Sequence, residues 1–277
     1  MTDKVAIVTG ASSGIGAATA RALHGAGYVV YAAARRTERM ADLDAAGIRT
    51  MAMDVTVEES MTSGVERALG EAGRIDVLVN NAGYGSYGSL EDVPLSEARR
   101  QFEVNVFGAA RLAQLVLPTM RAQRSGRIVN ISSIGGKMYE PLGDWYHATK
   151  FALEGLSDSL RVELRPFGID VVVVEPGAIR TEWGRIAADN LLERSAAGPY
   201  AKQAAAVAGV LSVYERRPGL VSPPEVVARV VLAAAGARRP KTRYVSGRGA
   251  KAVLFARWAL PDRGFDRLLQ IVYRLPG

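Results

Sequence analysis

The sequence predicts an α/β protein built on a doubly wound parallel sheet, with helices layered on both faces. Three observations carry that prediction. Short apolar runs such as Val5-Ala-Ile-Val-Thr9 and Asp170-Val-Val-Val-Val-Glu175 have the unbroken hydrophobic character of strands buried on both sides. Helical stretches separate these runs, and parallel neighbours need such crossovers. A glycine- and serine-rich turn sits between the first strand and the first helix, at the sheet edge where open parallel sheets bind ligands.

The elements follow in order. Val5–Thr9 is the first strand, and an alanine-rich helix runs from about Gly14 to Gly25. Gly27 breaks it, and Val29–Ala33 is the second strand. Met51–Met53, Asp76–Asn80, Arg127–Ile131 and Asp170–Glu175 are the next four. Long helices are expected over Leu95–Gln123 and Asp144–Arg165. Right-handed crossovers then place helices on both faces of the sheet. From about Glu182 to Ser222 the alternation lapses, and the segment reads as a helical insertion that covers the site as a lid. Pro223-Pro224 opens another helix, since proline suits a first turn. Thr242–Val245 reads as an edge strand. Two amphipathic helices occupy about residues 249–277. In the last, Phe265, Leu268, Leu269 and Val272 are expected on one face, with Arg263, Arg267, Gln270 and Arg274 opposite. One domain over residues 1–277 is expected.

Composition narrows the function classes. The chain has 277 residues, 48% of them hydrophobic, enough for a sizeable core. No apolar run reaches the ~20 residues that span a bilayer. The opening Met-Thr-Asp-Lys-Val lacks the apolar stretch of a secretory signal, so a cytoplasmic enzyme is expected. Cysteine is absent, which rules out disulfides and Cys-ligated zinc. With only His24 and His147 besides, no metal site is expected. The net charge is +7, but residues 238–277 carry ten Lys/Arg against Asp262 and Asp266 and so hold +8 of it. The body of the chain is therefore near neutral, and no nucleic-acid binding is expected. The basic end suits a solvated face, an anionic membrane surface or an acidic partner. Phe255, Trp258 and Leu260 beside Arg257 and Arg263 suit an interfacial helix and a subunit contact equally.

The turn Thr9-Gly10-Ala-Ser12-Ser13-Gly14-Ile15-Gly16 reads as a phosphate cradle. Glycines let the chain turn sharply and let a pyrophosphate approach the backbone. The helix behind offers free N–H groups and a positive dipole end, and Ser12 and Ser13 add hydroxyl donors. The spacing is G-x-x-x-G-x-G, not the G-x-G-x-x-G of the usual dinucleotide fingerprint. The end of the second strand discriminates cofactors. An NAD site places an acid there for the ribose 2′-hydroxyl. Here stands Ala34, followed by Arg35 and Arg36. These arginines are either a charge-assisted fork for a 2′-phosphate or solvated charges at a helix start. NADP(H) is favoured over NAD(H).

Tyr146-His-Ala-Thr-Lys150 opens a helical stretch, and positions i and i+4 share a face. A nearby ammonium stabilises phenolate and is expected to lower the tyrosine pKa from ~10 towards neutrality, making Tyr146 a general acid/base. Ser133 ends the fifth strand at the carboxyl edge, where it can hydrogen-bond a substrate oxygen. Asn105 lies inside an amphipathic helix, where asparagine has poor propensity. A water held by Asn105 and linked to Lys150 gives it a reason to be there.

At this point the chain resembles the short-chain dehydrogenases/reductases over nearly its whole length. The matching elements are the Thr9–Gly16 turn, Asp54-Val55, Asn80-Asn81-Ala82-Gly83, Asn105, Ser133, Tyr146 with Lys150, and Pro176-Gly177. They occur in that family's order, with thirteen positions from Ser133 to Tyr146. The resemblance implies a Rossmann-type fold with a nicotinamide cofactor. It implies that Asp54 and Val55 touch the adenine, and that Asn81, Ala82 and Gly83 line the adenine-ribose side. Pro176, Gly177, Ile179 and Thr181 would hold the nicotinamide, and Lys150 its ribose hydroxyls. Tyr146 would exchange a proton with the substrate oxygen, Ser133 would fix that oxygen, and Asn105 would complete a proton relay. His147 is expected to face solvent or a neighbouring subunit, without a role. A homodimer or homotetramer is implied. The C-terminal helices go beyond the minimal fold and resemble those of steroid- and retinol-dehydrogenase-like bacterial members.

Tyr84, Tyr87, Met138, Tyr139, Leu142, Trp145 and Trp183 are the candidate pocket residues. Their apolar character points to a lipophilic carbonyl or secondary alcohol, such as a steroid, retinoid or fatty-chain compound. The alternatives are an NAD-dependent alcohol dehydrogenase, a cofactor-recycling epimerase or dehydratase, and a non-catalytic NADPH-binding regulator.

Overall fold

A computed structural model of the chain describes residues 3–275, apart from 217, 218 and 220. β1 (Val5–Thr9) leads through the glycine turn to α1 (Gly14–Gly25) and β2 (Val29–Ala34). α2 (Ala41–Ala45), β3 (Arg49–Ala52), α3 (Glu58–Ala72) and β4 (Val77–Asn80) follow. Then come α4 (Leu95–Phe102), α5 (Gly108–Gln123), β5 (Gly126–Ile131), α6 (Asp144–Leu164) and β6 (Ile169–Pro176). α7 (Trp183–Ser195) and α8 (Ala201–Arg216) form the insertion. α9 (Glu225–Gly236), β7 (Arg243–Ser246), α10 (Ala250–Ala259) and α11 (Asp262–Tyr273) complete the described chain. Strand ends differ from the sequence expectation by one or two residues, as frayed ends do.

The seven strands run in the order β3-β2-β1-β4-β5-β6-β7, and every pairing is parallel. β1 is buried along its whole length, which explains its unbroken apolar run. On one face Ala6, Val8, Val129 and Val172 pack with Leu23 of α1 and Val227 and Val231 of α9. On the other, Ile7, Leu78, Ile128 and Val171 pack with Val65 of α3 and Leu112 and Val116 of α5. The chain leaves β1 towards β2 on one side and later returns to β4 on the other. This reversal opens a crevice at the carboxyl ends of β1 and β4.

One expectation is corrected and two are sharpened. The chain is helical over Leu95–Gln123 as expected, with a π turn, Glu103–Phe107, inside that stretch. Such a turn widens the helix by one residue and recurs at functional sites. Here Gly108 lets it approach the loop after β3, where a Cβ would lie 2.4 Å from the Val55 carbonyl oxygen. In α11 the buried residues are Phe265, Leu269 and Tyr273, while Val272 is 53% exposed. The helix is rolled because Tyr139 donates a hydrogen bond to Asp266 at 2.8 Å and packs edge-on against Phe265. The segment from Glu182 to Ser222 is helical as expected, a pair of helices rising from one neck, where Ile179 bridges to Ser222. Residues 217, 218 and 220 of that segment, and 1, 2, 276 and 277 at the ends, lie outside the described residues. Among the described residues no helix is long and apolar enough to cross a membrane.

Candidate active site

The glycine turn owes its shape to its two ends. Gly10 and Gly14 have φ of +65° and +52°, backbone that glycine adopts without strain. A Cβ on Gly16 would lie 2.3 Å from the Gly10 carbonyl oxygen, so only glycine lets α1 start this close to β1. No side chain caps the first turn of α1, which leaves its N–H groups free for an anion. Thr9 locks the turn to β4. Its hydroxyl donates to the Val79 carbonyl at 3.3 Å and accepts from the Asn81 and Ala82 N–H groups at 3.0 Å each. Asn81 Nδ2 returns a bond to the Thr9 carbonyl at 2.9 Å. Sequence reasoning gave Thr9 no role, although a hydroxyl closing an otherwise apolar buried strand was the available signal.

A cleft of about 670 Å³ runs from this turn to the helical insertion. It is lined by Gly10, Ser12, Ser13, Gly14, Ile15, Arg35, Arg36, Asp54, Val55, Asn81, Ala82 and Gly83. Ser133, Tyr146, Lys150, Pro176, Gly177, Ile179 and Thr181 line its other half. Gly16 and Asn105 stand behind the lining rather than in it. The Asp54 carboxylate is partly engaged, accepting from the Thr56 N–H at 3.0 Å and hydroxyl at 2.8 Å. Burial opposes its charge, but these bonds together with Arg35 and Arg100 leave its pKa below the usual carboxylate range.

Tyr146 and Lys150 lie on the first turns of α6, and both are buried. The Lys150 ammonium is 6.0 Å from the Tyr146 ring and donates to the Ile131 carbonyl at 2.9 Å. Burial depresses its pKa to about 8, against the raising effect of Glu154. The Tyr146 phenol departs from expectation. Burial pushes its pKa above the ordinary value, a hydrogen bond with Ser133 pulls it down, and Glu140 pushes it up. Desolvation beneath Tyr87 and Trp183 therefore outweighs the Ser133 contribution, and the phenol is protonated at neutral pH. Ser133 accepts from the Gly135 N–H at 3.0 Å.

Asn105 does not touch Lys150 directly. The π turn aims its side chain at Tyr84, accepting from the Tyr84 N–H and donating to the Tyr84 carbonyl, both at 3.0 Å. Its amide also donates to Thr149 Oγ1 at 3.0 Å, and Thr149 donates to the Tyr146 carbonyl at 2.7 Å. A Cβ on Gly83 would stand 3.1 Å from Asn105 Oδ1 and 3.8 Å from Lys150 Nζ. Glycine thus keeps open the space that both groups face.

His147 is buried rather than exposed. Its Nδ1 lies 2.9 Å from the Gly135 carbonyl, and its Nε2 lies 3.0 Å from the Glu140 N–H. Nε2 must accept from that N–H, so Nδ1 carries the proton and the ring is neutral. The imidazole pins the loop carrying Ser133 and Met138 against α6. No sequence signal marks it, because both of its partners are backbone groups of a loop.

Of the candidate pocket residues, Tyr84, Tyr87, Met138 and Trp183 line the cleft. Tyr139 instead holds α11, and Trp145 packs edge-on against Phe102 of α4. Leu142 is buried in the cluster between α6 and the insertion. Trp183 reaches the site because Gly85 lacks a side chain, where a Cβ would lie 2.4 Å from the indole. The lining is also more polar than expected. Tyr84 donates to Glu97 at 3.1 Å, Arg194 pairs with Glu97 at 3.5 Å, and Arg100 lies alongside.

This arrangement suits a dinucleotide laid across the carboxyl ends of the strands, with a protonated phenol and a serine hydroxyl at its reactive end. Comparison with known proteins agrees. The family model for short chain dehydrogenases matches residues 4–190. A probable short-chain type dehydrogenase/reductase, VdlC of Helicobacter pylori, is 33% identical over 97% of each chain. The 3-ketodihydrosphingosine reductase of Bacteroides thetaiotaomicron is 42% identical over 65% of this chain and 66% of its own. The NADPH-dependent 3-dehydrocapnine reductase of Ornithobacterium rhinotracheale is 33% identical over 96% of this chain and 95% of its own. Among solved structures, a short-chain dehydrogenase from Streptomyces avermitilis superposes with a TM-score of 0.81 at 36% identity, covering 99% of this chain and 97% of that one. A metagenomic short-chain oxidoreductase in complex with NADP gives 0.68 at 29%, covering 87% and 96%. A short-chain dehydrogenase/reductase from Burkholderia phymatum in complex with NAD gives 0.79 at 28%, covering 97% and 95%.

Proposed function

The chain belongs to the short-chain dehydrogenase family, and on that premise we propose that it is an NADP(H)-dependent oxidoreductase interconverting a lipophilic carbonyl compound and its secondary alcohol. The observation that carries the reading is that Tyr146, Ser133 and Lys150 line the same cleft as the glycine turn. The bound nicotinamide supplies or accepts the hydride. Everything else falls to the chain's own groups. Ser133 donates to the substrate oxygen and fixes its position. Tyr146, held protonated by its buried setting, gives that oxygen a proton during reduction and takes it back during oxidation. Lys150 steadies the end of β5 through the Ile131 carbonyl and would hold a ribose hydroxyl of the cofactor. Asn105 joins the Tyr84 loop to α6, and a water linking it to Lys150 would complete the relay. The turn at Gly10–Gly14 and the uncapped start of α1 suit the pyrophosphate.

Ala34 at the end of β2, with Arg35 and Arg36 lining the cleft, supports the phosphorylated cofactor. A relative named for NADPH dependence and a similar structure holding NADP lean the same way, while one holding NAD keeps the second cofactor in view. Tyr87, Met138, Trp183 and Ile186 in the lining support a lipophilic substrate, as do relatives named as 3-ketodihydrosphingosine and 3-dehydrocapnine reductases. Initial rates on long-chain ketones, cyclic ketones and sugars, each with NADPH and NADH, test both halves. The reading expects the best kcat/KM with a long-chain or polycyclic ketone and NADPH. A preference for sugars would refute the substrate class, and a preference for NADH would favour the NAD-dependent alcohol dehydrogenase.

The same reading extends to the outer face of α10. Lys251, Phe255 and Trp258 share that face at i, i+4 and i+7, and the two rings are 64% and 80% exposed. With the basic charge concentrated in residues 238–277, this face suits an anionic lipid surface from which a lipophilic substrate could be drawn.

A further inference from the structure

Glu182 stands immediately before α7, where the insertion leaves the sheet, and arginines from the loop after β2 hold its carboxylate. Arg39 Nη1 donates to both carboxylate oxygens, at 3.0 and 3.1 Å. Arg36 Nη2 lies 3.7 Å from Oε2 and also reaches the Ser12 hydroxyl at 3.5 Å. Two arginines of the loop after β2 therefore share the carboxylate at the start of the insertion, and one of them also touches the glycine turn. Two guanidinium groups are also a donor set that a phosphate monoester takes.

The position matters as much as the chemistry. Arg36 follows the end of β2 by two residues, on the side of the cleft where the adenosine ribose is expected. The three charged side chains are between 39% and 46% exposed. An ion pair this open contributes about fivefold or less to an equilibrium. A dianionic phosphate can therefore displace the carboxylate, but only at the cost of that pair.

We propose that Glu182 is an internal substitute for the cofactor's 2′-phosphate. It neutralises Arg36 and Arg39 in the empty cleft, gives them up when a 2′-phosphate binds, and so limits how strongly the cleft prefers the phosphorylated cofactor. The inference rests on the NADP(H) reading above. Arg39 and Glu182 thereby join the specificity-determining residues.

Calorimetric titration of the full-length protein separates the two claims, using adenosine 2′,5′-bisphosphate and, as the same ligand without its 2′-phosphate, AMP. The variant is Glu182→Gln, because it keeps the shape of a turn whose next residue, Trp183, packs 4.9 Å from the Tyr146 ring. The expected result is that Glu182→Gln binds the bisphosphate about two- to fivefold more tightly than wild type, with AMP unchanged. The gain should shrink in 0.5 M salt, as an interaction between exposed charges does. An unchanged bisphosphate affinity in a protein that still prefers the bisphosphate to AMP would overturn the role of Glu182 and leave the NADP(H) reading standing. Equal gains for both ligands would show that Glu182 acts on the insertion as a whole, which also overturns it. Equal wild-type affinity for the two ligands, together with an Arg36→Ala variant that binds both as wild type does, would remove the NADP(H) reading itself.

Discussion

At Tyr146, burial and a hydrogen bond act in opposite directions, and burial wins. The phenol is therefore protonated at neutral pH, the form from which carbonyl reduction starts. Lys150 behaves in the complementary way, its pKa depressed to about 8 by the same desolvation. Below that pH it is an ammonium facing an anionic cofactor, and above it a neutral amine. NADPH affinity, followed by cofactor fluorescence from pH 6.5 to 9.5, should hold steady to about pH 8 and then weaken. Lys150→Met should bind less tightly and lose that dependence, and a flat wild-type profile would contradict the assignment. The Tyr146/Lys150 pair was legible because i,i+4 spacing is a local property of the chain. The direction of the phenol's shift was not, because the rings of Tyr87 and Trp183 that bury it come from two other segments. His147 was illegible for a similar reason: its partners are backbone groups brought in by the fold.

Among the elements, α6, β6 and β7 share a charged cluster that the proposed chemistry does not use. Arg243 donates to Glu154 at 3.0 and 3.1 Å and to Asp158 at 2.6 Å, and lies 3.3 Å from Glu175. Lys137 pairs with Glu154 at 3.3 Å. Burial, reinforced by Glu154, raises the Glu175 pKa to about 7. Removing the arginine leaves the buried Glu175 carboxylate without an ion-pair partner and Glu154 with Lys137 alone, so Arg243→Ala should cost about 3 kcal/mol. The sign with pH follows from the raised value: the folded state keeps a proton that the unfolded state releases, so stability falls as pH rises from the ordinary carboxylate range through about 7. Urea unfolding should thus show a larger loss at pH 8 than at pH 6. A loss under about 1 kcal/mol, equal at both pH values, would contradict this. Glu175 lies next to Pro176 and Gly177, so the cluster also anchors the strand end that lines the cleft. The alternation of strands and helices was readable from periodicity, but the π turn was not. A single inserted residue leaves a 3.6-residue pattern almost intact, and the poor helix propensity of Asn105 was its one trace. The roll of α11 escaped likewise, since it is set by Tyr139 reaching Asp266 across 127 residues of sequence.

For the whole molecule, the parallel sheet and the reversal of strand order between β2 and β4 decide where the site lies. That much followed from a run of buried strands and a glycine turn at the end of the first. The polar flank formed by Glu97, Arg100 and Arg194 did not, because α4 and α7 meet there only in three dimensions. The outer face of α10 gives a prediction at this scale. The protein should co-sediment with vesicles containing an anionic lipid and not with neutral ones, and Trp258→Glu should abolish the difference. Equal sedimentation of variant and wild type would remove the lipid contact. The central claim is that a hydride and a Tyr146 proton are delivered to one carbonyl. Its most direct measurement is transfer of deuterium from 4-deuterated NADPH to the carbinol carbon of the product alcohol. The account predicts label in the wild-type product from one face of the nicotinamide, and no labelled alcohol from Tyr146→Phe, which still binds NADPH with near wild-type affinity. Undiminished label transfer by Tyr146→Phe would contradict it.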